Sequence, residues 1–445
     1  MYDYAIMNGL VITSAWSGVA NIAIKSGQIV ALTTDDLLHQ ALDYYDAKGK
    51  IVLPALLDTH VHLREPGYTH KEDFYNGSCA AAAGGYGTII AQPNTSPPAV
   101  DGPSVATLLE LAGRQCVVDF GVSAQVTPDN IANLAELKQA GACILDVACC
   151  DVPEGWLVTR GGQFLQIFSS AAELGLPVAV YATDASIVTE HTERLMKEGR
   201  IDPLAWADSR SSLAEAAEVA KIGIIAQESK ARVLFRQISS AVSLEYLQGY
   251  KQAADISVEI NPHHLFLTTE DLTALGPLGK MAPPLRDAFE VAEFWKGLQG
   301  GIIDMIGGDH APHTLEEKLA GKEDIWKAAS GVPTLETALP LMLDAVSRGK
   351  LKMEKLVELM SEKPARWLGL YPKKGCIAVG SDADVTIVDP GEVWEVKNES
   401  LFTKCGWSPF AGMKLRGRVK KTMVRGRWVF DSGKITVQAG YGRIV

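Results

Sequence analysis

The sequence predicts an α/β protein with a (β/α)8 barrel in the middle of the chain and a small β-sandwich built from both termini. Two observations predict this division. Short apolar runs alternate with helical stretches in the middle, whereas both ends consist of short apolar runs broken by turn residues. A chain of 445 residues also exceeds what one compact core usually supports.

The two ends of the chain share the same strand-rich pattern. Residues 1–53 contain apolar runs separated at Asn-Gly and Ser-Gly pairs, which predicts strands joined by tight turns. The pattern returns from residue 374 onward. We therefore expect one composite β-domain made from residues 1–53 and 374–445.

Residues 54–373 are expected to form the barrel. Their apolar runs include "GTIIAQPN", "CVVDFGVSA", "LPVAVYAT", "ARVLFRQIS" and "GIIDMIGGDH". Continuous apolar strands that alternate with helices are typical of a parallel sheet buried on both faces. In a (β/α)8 barrel the chemistry lies where strands end, and polar clusters follow several of these runs.

Charge and composition restrict the class of partner. The net charge of −11 argues against binding to nucleic acid or an anionic membrane, so a small molecule or another protein is expected. No run of eighteen apolar residues and no secretory signal is evident. Seven irregularly spaced cysteines indicate reduced thiols, and the expected location is the cytoplasm.

Two segments carry candidate metal ligands. In "DTHVHLREPG", His60 and His62 are two positions apart, so on a strand their side chains leave the same face. In "IIDMIGGDHAPHT", Asp309 follows a strand that ends in Gly-Gly. Imidazole and carboxylate groups bind divalent metals, and the aspartate can also take a proton from an attacking water.

Several ordered motifs carry a family resemblance. They are "DTHVHLREPG", "KEDFYNGSCAAAAGGYGTIIAQPNTSPP", "MAPPLR", "GGDHAPHT" and "SGVPTLETALPLML". Together they resemble the cyclic-amide branch of the amidohydrolase superfamily, which comprises dihydroorotases, allantoinases and hydantoinases, over nearly the whole chain. The resemblance implies a metal-bearing barrel that opens ring amides, with the first metal on His60, His62 and Asp309.

The positions of a second metal depart from the family pattern. The family has a carboxylated lysine or an aspartate in the stretch written here "AGACILDVACCDVPEG", and no lysine lies between Lys138 and Lys197. Asp146 and Asp151 remain alternatives for a carboxylate ligand. Tyr181 and Gln237 stand where the family has two histidines. We expect one divalent metal, zinc with manganese or iron as alternatives, and no carboxylated lysine.

The resemblance also implies a substrate-binding side. Arg64, Asn94 and His313 match the residues that bind a substrate carboxylate in dihydroorotase-like members. An arginine fork suits a carboxylate, and the alternative for Arg64 is a salt bridge with Glu65 or Asp73 at the barrel rim. Tyr181 and Gln237 are further candidates for contacts with the substrate.

Three functional hypotheses follow. The first is a one-metal hydrolase of an acidic ring such as dihydroorotate, carboxymethylhydantoin or allantoin. The second is a non-catalytic homologue that assembles with another enzyme of pyrimidine metabolism, and the third is an enzyme of altered chemistry on the same barrel. The family resemblance and the apolar-rich chain favour a homodimer or homotetramer.

Overall fold

The computed structural model describes residues 1–37 and 40–445. The strands found in these residues are β1 Tyr4–Ile12, β2 Ser17–Lys25, β3 Gln28–Thr33, β4 Tyr44–Asp46, β5 Ile51–Pro54, β6 Leu56–Val61, β7 Tyr86–Ala91, β8 Asp119–Val126, β9 Ile144–Ala148, β10 Val178–Tyr181, β11 Val233–Phe235, β12 Ile256–Ile260, β13 Met305–Ile306, β14 Val385–Glu395, β15 Lys414–Val424, β16 Arg427–Asp431 and β17 Lys434–Ile435.

The α-helices of the described residues lie almost entirely between and after the barrel strands. They are α1 Phe74–Ala83, α2 Gly102–Gln115, α3 Leu134–Gln139, α4 Gly161–Leu174, α5 Ala185–Lys197, α6 Pro203–Ser209, α7 Ser212–Ala226, α8 Ala241–Tyr250, α9 Pro262–Phe266, α10 Thr269–Leu275, α11 Ala288–Gly300, α12 Leu315–Leu319, α13 Ala338–Ser347, α14 Met353–Val357 and α15 Lys363–Trp367. No helix in the described part of the chain is both long and apolar enough to cross a membrane.

The eight strands β6 to β13 form the predicted parallel barrel. They pair in chain order. The first and last strands approach each other where the His62 amide, just after β6, donates to the His310 carbonyl, just after β13, at 2.8 Å. Every residue of β7 and β8 is buried, which explains why these strands read as unbroken apolar runs. The barrel interior is packed with side chains from alternate positions, among them Ile90, Ile144, Ala179, Leu234 and Met305.

The remaining strands of the described residues form one mixed sheet with strands from both ends of the chain. This confirms that the β-domain is assembled from both termini. Its strand order is β17-β16-β15-β14-β5-β1-β2-β3, with β4 beside β1. Strand β5 joins the two ends because Val52 pairs with Val11 on one side and Ile387 on the other. The residue limits of the two domains stay a prediction. β5 leads directly into β6, so this sheet is anchored next to the first barrel strand.

Candidate metal centre and substrate pocket

Two histidines and one aspartate meet at the carboxyl end of the barrel. His60 lies in β6, His62 follows that strand, and Asp309 follows β13. Asp309 Oδ1 lies 3.4 Å from His60 Nε2 and 3.2 Å from His62 Nε2. One ligand atom from each of the three residues lies within 4.8 Å of the others. The structure therefore brings the predicted trio together, and its nitrogen and oxygen donors suit a divalent metal.

The other nitrogen of each histidine is held by an acceptor. His60 Nδ1 lies 3.1 Å from Glu259 Oε1, and His62 Nδ1 lies 2.7 Å from Asn94 Oδ1. We assign the ring proton to Nδ1 in both cases, because the carboxylate and the amide oxygen are acceptors. With a metal bound, both Nε2 lone pairs would face the ion, and without one the Nε2 atoms can carry protons toward Asp309. Such tethers orient metal-binding histidines in proteins, so the pattern supports a metal centre.

Two glycines allow acidic side chains to approach the strand that precedes Asp309. A Cβ on Gly307 would lie 2.3 Å from the carboxyl carbon of Glu259, and one on Gly308 would lie 2.4 Å from Asp58 Oδ2. Asp58 accepts hydrogen bonds from the Gly308 amide at 3.0 and 3.1 Å. Any larger side chain would displace the carboxylates that support the centre.

Asp309 is held in its charged form. Burial raises the pKa of this carboxyl, but the adjacent His60 and His62 outweigh burial and hold the pKa well below its usual range. Gln237 donates its amide nitrogen to Asp309 Oδ2 at 2.7 Å and to the Ala282 carbonyl at 3.1 Å. Gln237 thus fixes one oxygen of Asp309 and leaves the other toward the histidines.

Arg64 and His313 form one wall of the pocket beside the trio. The Arg64 side chain donates from Nε to the Pro312 carbonyl and from Nη2 to His313 Nε2, both at 3.2 Å. Arg64 is 9% exposed and pairs with no carboxylate of the described residues. The alternative of a salt bridge to Glu65 or Asp73 is wrong, because Glu65 accepts from Phe74 and Gln115 while Asp73 pairs with Lys404.

His313 is neutral and accepts the bond from Arg64. Burial, with the cations of Arg64 and Lys71, lowers its pKa. Its Nδ1 lies 3.2 Å from the Lys71 ammonium and 3.4 Å from Glu317 Oε2. Because Nε2 accepts from Arg64, a neutral ring carries its proton on Nδ1, where Glu317 is the acceptor. The result is an arginine with spare donors on the wall of the pocket.

Tyr181 belongs to a separate hydrogen-bonded group on the opposite wall. Its hydroxyl donates to Asp151 Oδ2 at 2.8 Å, and Arg210 forms a two-pronged pair with the same carboxylate. The Arg210 guanidinium stacks 3.2 Å from the centre of the Trp206 ring. Asp151 is therefore neutralised by a local cation.

Asp146 is bonded to a cation that sequence reasoning missed. Arg236 donates from Nη1 to Asp146 Oδ1 at 2.5 Å and to Gln92 Oε1 at 2.6 Å, and from Nη2 to the Thr59 carbonyl at 2.9 Å. Burial raises the pKa of Asp146, and Arg236 opposes that effect. The signal that could have revealed this pair is the arginine inside the otherwise apolar run "ARVLFRQIS". Glu259 was also missed, because no motif around it indicates that it contacts His60.

The backbone is strained at four residues of the site. Arg64, Asp151, Gln237 and Asp309 have φ values of 61°, 56°, 55° and 44°, in the left-handed region that non-glycine residues seldom adopt. Each lies just beyond a barrel strand. Conformations of this kind cost roughly 1 kcal/mol or more each and concentrate at functional sites, because the chain must turn sharply to aim a side chain inward.

The predicted site residues line one cavity of about 170 Å³. Its wall includes all eight residues proposed for the metal and the substrate, namely His60, His62, Arg64, Asn94, Tyr181, Gln237, Asp309 and His313. The structure thus gathers the predicted residues at one strand-end face. Their individual roles stay predictions.

A second acidic cluster lies at the opposite end of the barrel. Asp119, at the start of β8, lies near Asp382 and Asp384 beside a cavity of about 790 Å³. Lys374 Nζ sits among the three carboxylates, at 2.7, 3.2 and 2.6 Å respectively. Arg425 also contacts Asp119, so two cations offset the three carboxylates and an ion network borders the larger cavity.

Comparison with known proteins decides the family. The sequence profile of the amidohydrolase family matches residues 51–429. This chain belongs to the amidohydrolase family. The predicted family resemblance is thereby confirmed, and family membership implies use of a divalent metal.

Individual relatives of this amidohydrolase match over almost their full length. L-hydantoinase of Paenarthrobacter aurescens is 32% identical over 100% of this chain and 98% of its own. Dihydroorotase of Methanosarcina mazei is 37% identical over 96% of this chain and 94% of its own. The solved structure of L-hydantoinase (dihydropyrimidinase) from Arthrobacter aurescens superposes with a TM-score of 0.97, at 32% identity over 100% and 99% of the two chains. The barrel with its composite β-domain is therefore the family fold.

Proposed function

We propose that this protein is a metal-dependent hydrolase that opens a ring amide in a small cyclic substrate carrying a carboxylate. The observation that carries the proposal is the tethered His60, His62 and Asp309 trio, which shares one cavity with an Arg64 guanidinium that pairs with no carboxylate of the described residues. Relatives named L-hydantoinase and dihydroorotase support the reaction class.

The proposed cofactor is one divalent metal, zinc in the first instance, with manganese or iron as alternatives. His60, His62 and Asp309 would hold it. A metal ion at such a site supplies Lewis acidity, which lowers the pKa of water and polarises a carbonyl group. A carboxylated lysine is not part of the proposal, because Asp146 occupies the corresponding stretch and is paired with Arg236.

The chain's own residues then handle the proton and the ring. Asp309 accepts the proton of the attacking water and passes it to the ring nitrogen as the amide bond breaks. Gln237 keeps the carboxylate in place through its bond to Oδ2. Burial of Asp309 excludes competing water from the carboxylate.

Arg64 and His313 are proposed to bind the substrate carboxylate, with Asn94 close by. The Arg64 fork offers donors that no protein carboxylate uses, and a planar fork matches a carboxylate in two bonds. The Asn94 amide oxygen accepts from His62, and its amide hydrogens are proposed to donate to the substrate. We propose ring contacts for Tyr181 and Gln237 on the facing wall.

One assay panel tests the proposal. The purified protein should contain one metal ion per chain, and it should open dihydroorotate or carboxymethylhydantoin in preference to allantoin and unsubstituted hydantoin, which carry no carboxylate. His60→Ala should remove both metal and turnover, whereas the exposed Lys322→Ala should keep both. Protein that is metal-free and inactive on every ring would refute the proposal. Co-purification with a second enzyme and no turnover would favour the assembly hypothesis.

We also propose a homodimer or homotetramer in the cytoplasm. Large apolar side chains remain exposed on the outer helices, such as Leu213 at 63% and Phe289 at 67%, which supports contact between subunits. The net charge of −11 argues against a nucleic-acid partner. Light scattering on the purified chain measures the subunit number, and a strictly monomeric mass would contradict this part.

A further inference from the structure

Arg236 is a buried cation inside the barrel, next to the metal trio. It lies two positions after Leu234, whose side chain packs in the barrel interior, so both side chains leave the same face of the strand. Only 2% of Arg236 is exposed. It lines the same cavity as His60 and Asp309.

The guanidinium pairs with Asp146, which lies in the stretch where the family resemblance implies a carboxylated lysine or an aspartate. Asp146 Oδ1 accepts from Arg236 Nη1 at 2.5 Å, and the amide oxygen of Gln92 accepts from the same nitrogen at 2.6 Å. Asp146 Oδ1 and Gln92 Oε1 are thus already hydrogen-bonded to a positively charged group. An arginine does not lose its proton in a protein, so this charge is permanent.

We propose that Arg236 is a positioning residue that takes the place of a second metal ion and limits this site to one. This inference rests on the proposed one-metal function. A second divalent ion would have to approach a fixed guanidinium, and repulsion between like charges is strong where water is excluded. It would also have to take Asp146 from a buried ion pair, leaving the guanidinium without a partner.

Metal stoichiometry tests the inference without relying on turnover. Arg236→Met frees Asp146, and Mn²⁺ in excess is the probe because it accepts carboxylate, carbonyl and water ligands. We expect one Mn²⁺ per chain in the wild type and two in Arg236→Met, with a spin-coupled pair in the electron paramagnetic resonance spectrum. Arg236→Met combined with Asp146→Asn should return to one ion, and Arg236→Lys should stay at one.

The outcomes separate this inference from the proposed function. A wild type with one ion and an Arg236→Met variant that also binds one overturns the inference and leaves the function standing. Two ions in the wild type overturn it as well. A wild type with neither metal nor turnover refutes the function itself. If circular dichroism shows that Arg236→Met is unfolded, Arg236→Gln is used in its place and should also bind two ions. In either case, two ions in Arg236→Lys would overturn the inference.

Discussion

Replacing Arg64 with glutamine should separate carboxylated rings from neutral ones as substrates. Arg64 is 9% exposed and pairs with no carboxylate of the described residues, so in the proposed complex the substrate supplies the missing anion. Truncating one partner of a buried, hydrogen-bonded charge pair costs about 2–5 kcal/mol. At about 1.4 kcal/mol per tenfold change, kcat/KM for a carboxylated ring should fall roughly 30-fold to a few thousand-fold.

The assay compares dihydroorotate with unsubstituted hydantoin on the same variant. Hydantoin has no carboxylate, so its kcat/KM should change by less than about fivefold, since it loses no charge pair. Arg64→Lys keeps the charge and loses the fork, and its loss should lie between those of the wild type and Arg64→Gln. Arg114→Gln is the matched control, because Arg114 is an exposed arginine paired with Glu110 on the outer surface. An equal loss for both rings, or no loss for dihydroorotate, would refute the assignment.

Three further predictions concern the metal tethers, a buried ion network and pH. Glu259→Gln should weaken metal binding about 10- to 100-fold in a chelator competition, because the amide holds the His60 proton less strongly, and Asn94→Ala should do the same through His62. Unchanged affinity in both variants would show that the tethers are irrelevant. Lys374→Met leaves Asp382 and Asp384 without their cation, while Asp119 keeps Arg425, and it should cost about 3–5 kcal/mol in denaturant unfolding, whereas the exposed neighbour Lys373→Met should cost little. Equal losses would contradict the network. Burial raises the pKa of Glu336 to about 8, so the folded state retains a proton that the unfolded state releases near its ordinary value, and stability falls as pH rises from about 4.5 to 8. Glu336→Gln should make the melting temperature less dependent on pH across this window, and an unaltered slope would show that Glu336 is not the cause.

Two sequence patterns were enough to predict both parts of the fold. Apolar runs that alternate with helical stretches predicted the barrel, and short apolar runs broken by turn residues predicted the β-domain. Strands of the barrel are buried on both faces, so their apolar runs are continuous and stand apart from the helices between them. The trio of His60, His62 and Asp309 could also be predicted, since the ends of parallel barrel strands meet at one face.

The partners of those residues could not be predicted in the same way. Glu259 lies about two hundred residues from His60 in the chain, and no motif in either segment predicts that the two side chains are in contact. Asn94 was expected to bind substrate, and the structure also makes it the acceptor for His62. The sequence offered Asp146 only as one of two alternative carboxylate ligands, and its pairing with Arg236 depends on how the barrel strands lie side by side.

The sequence by itself determined the barrel, the family and the residue types at the strand ends, because these follow from local hydrophobic pattern and from motifs of adjacent residues. Only the tertiary structure decided how the charges are distributed among those residues. Among the residues that the structure describes, Arg64 has no carboxylate partner, whereas Asp151 pairs with Arg210 and Asp146 pairs with Arg236. Charge pairing depends on distances of a few ångströms between strands far apart in the chain, and inside a water-poor barrel those distances govern which groups remain available for a metal and a substrate.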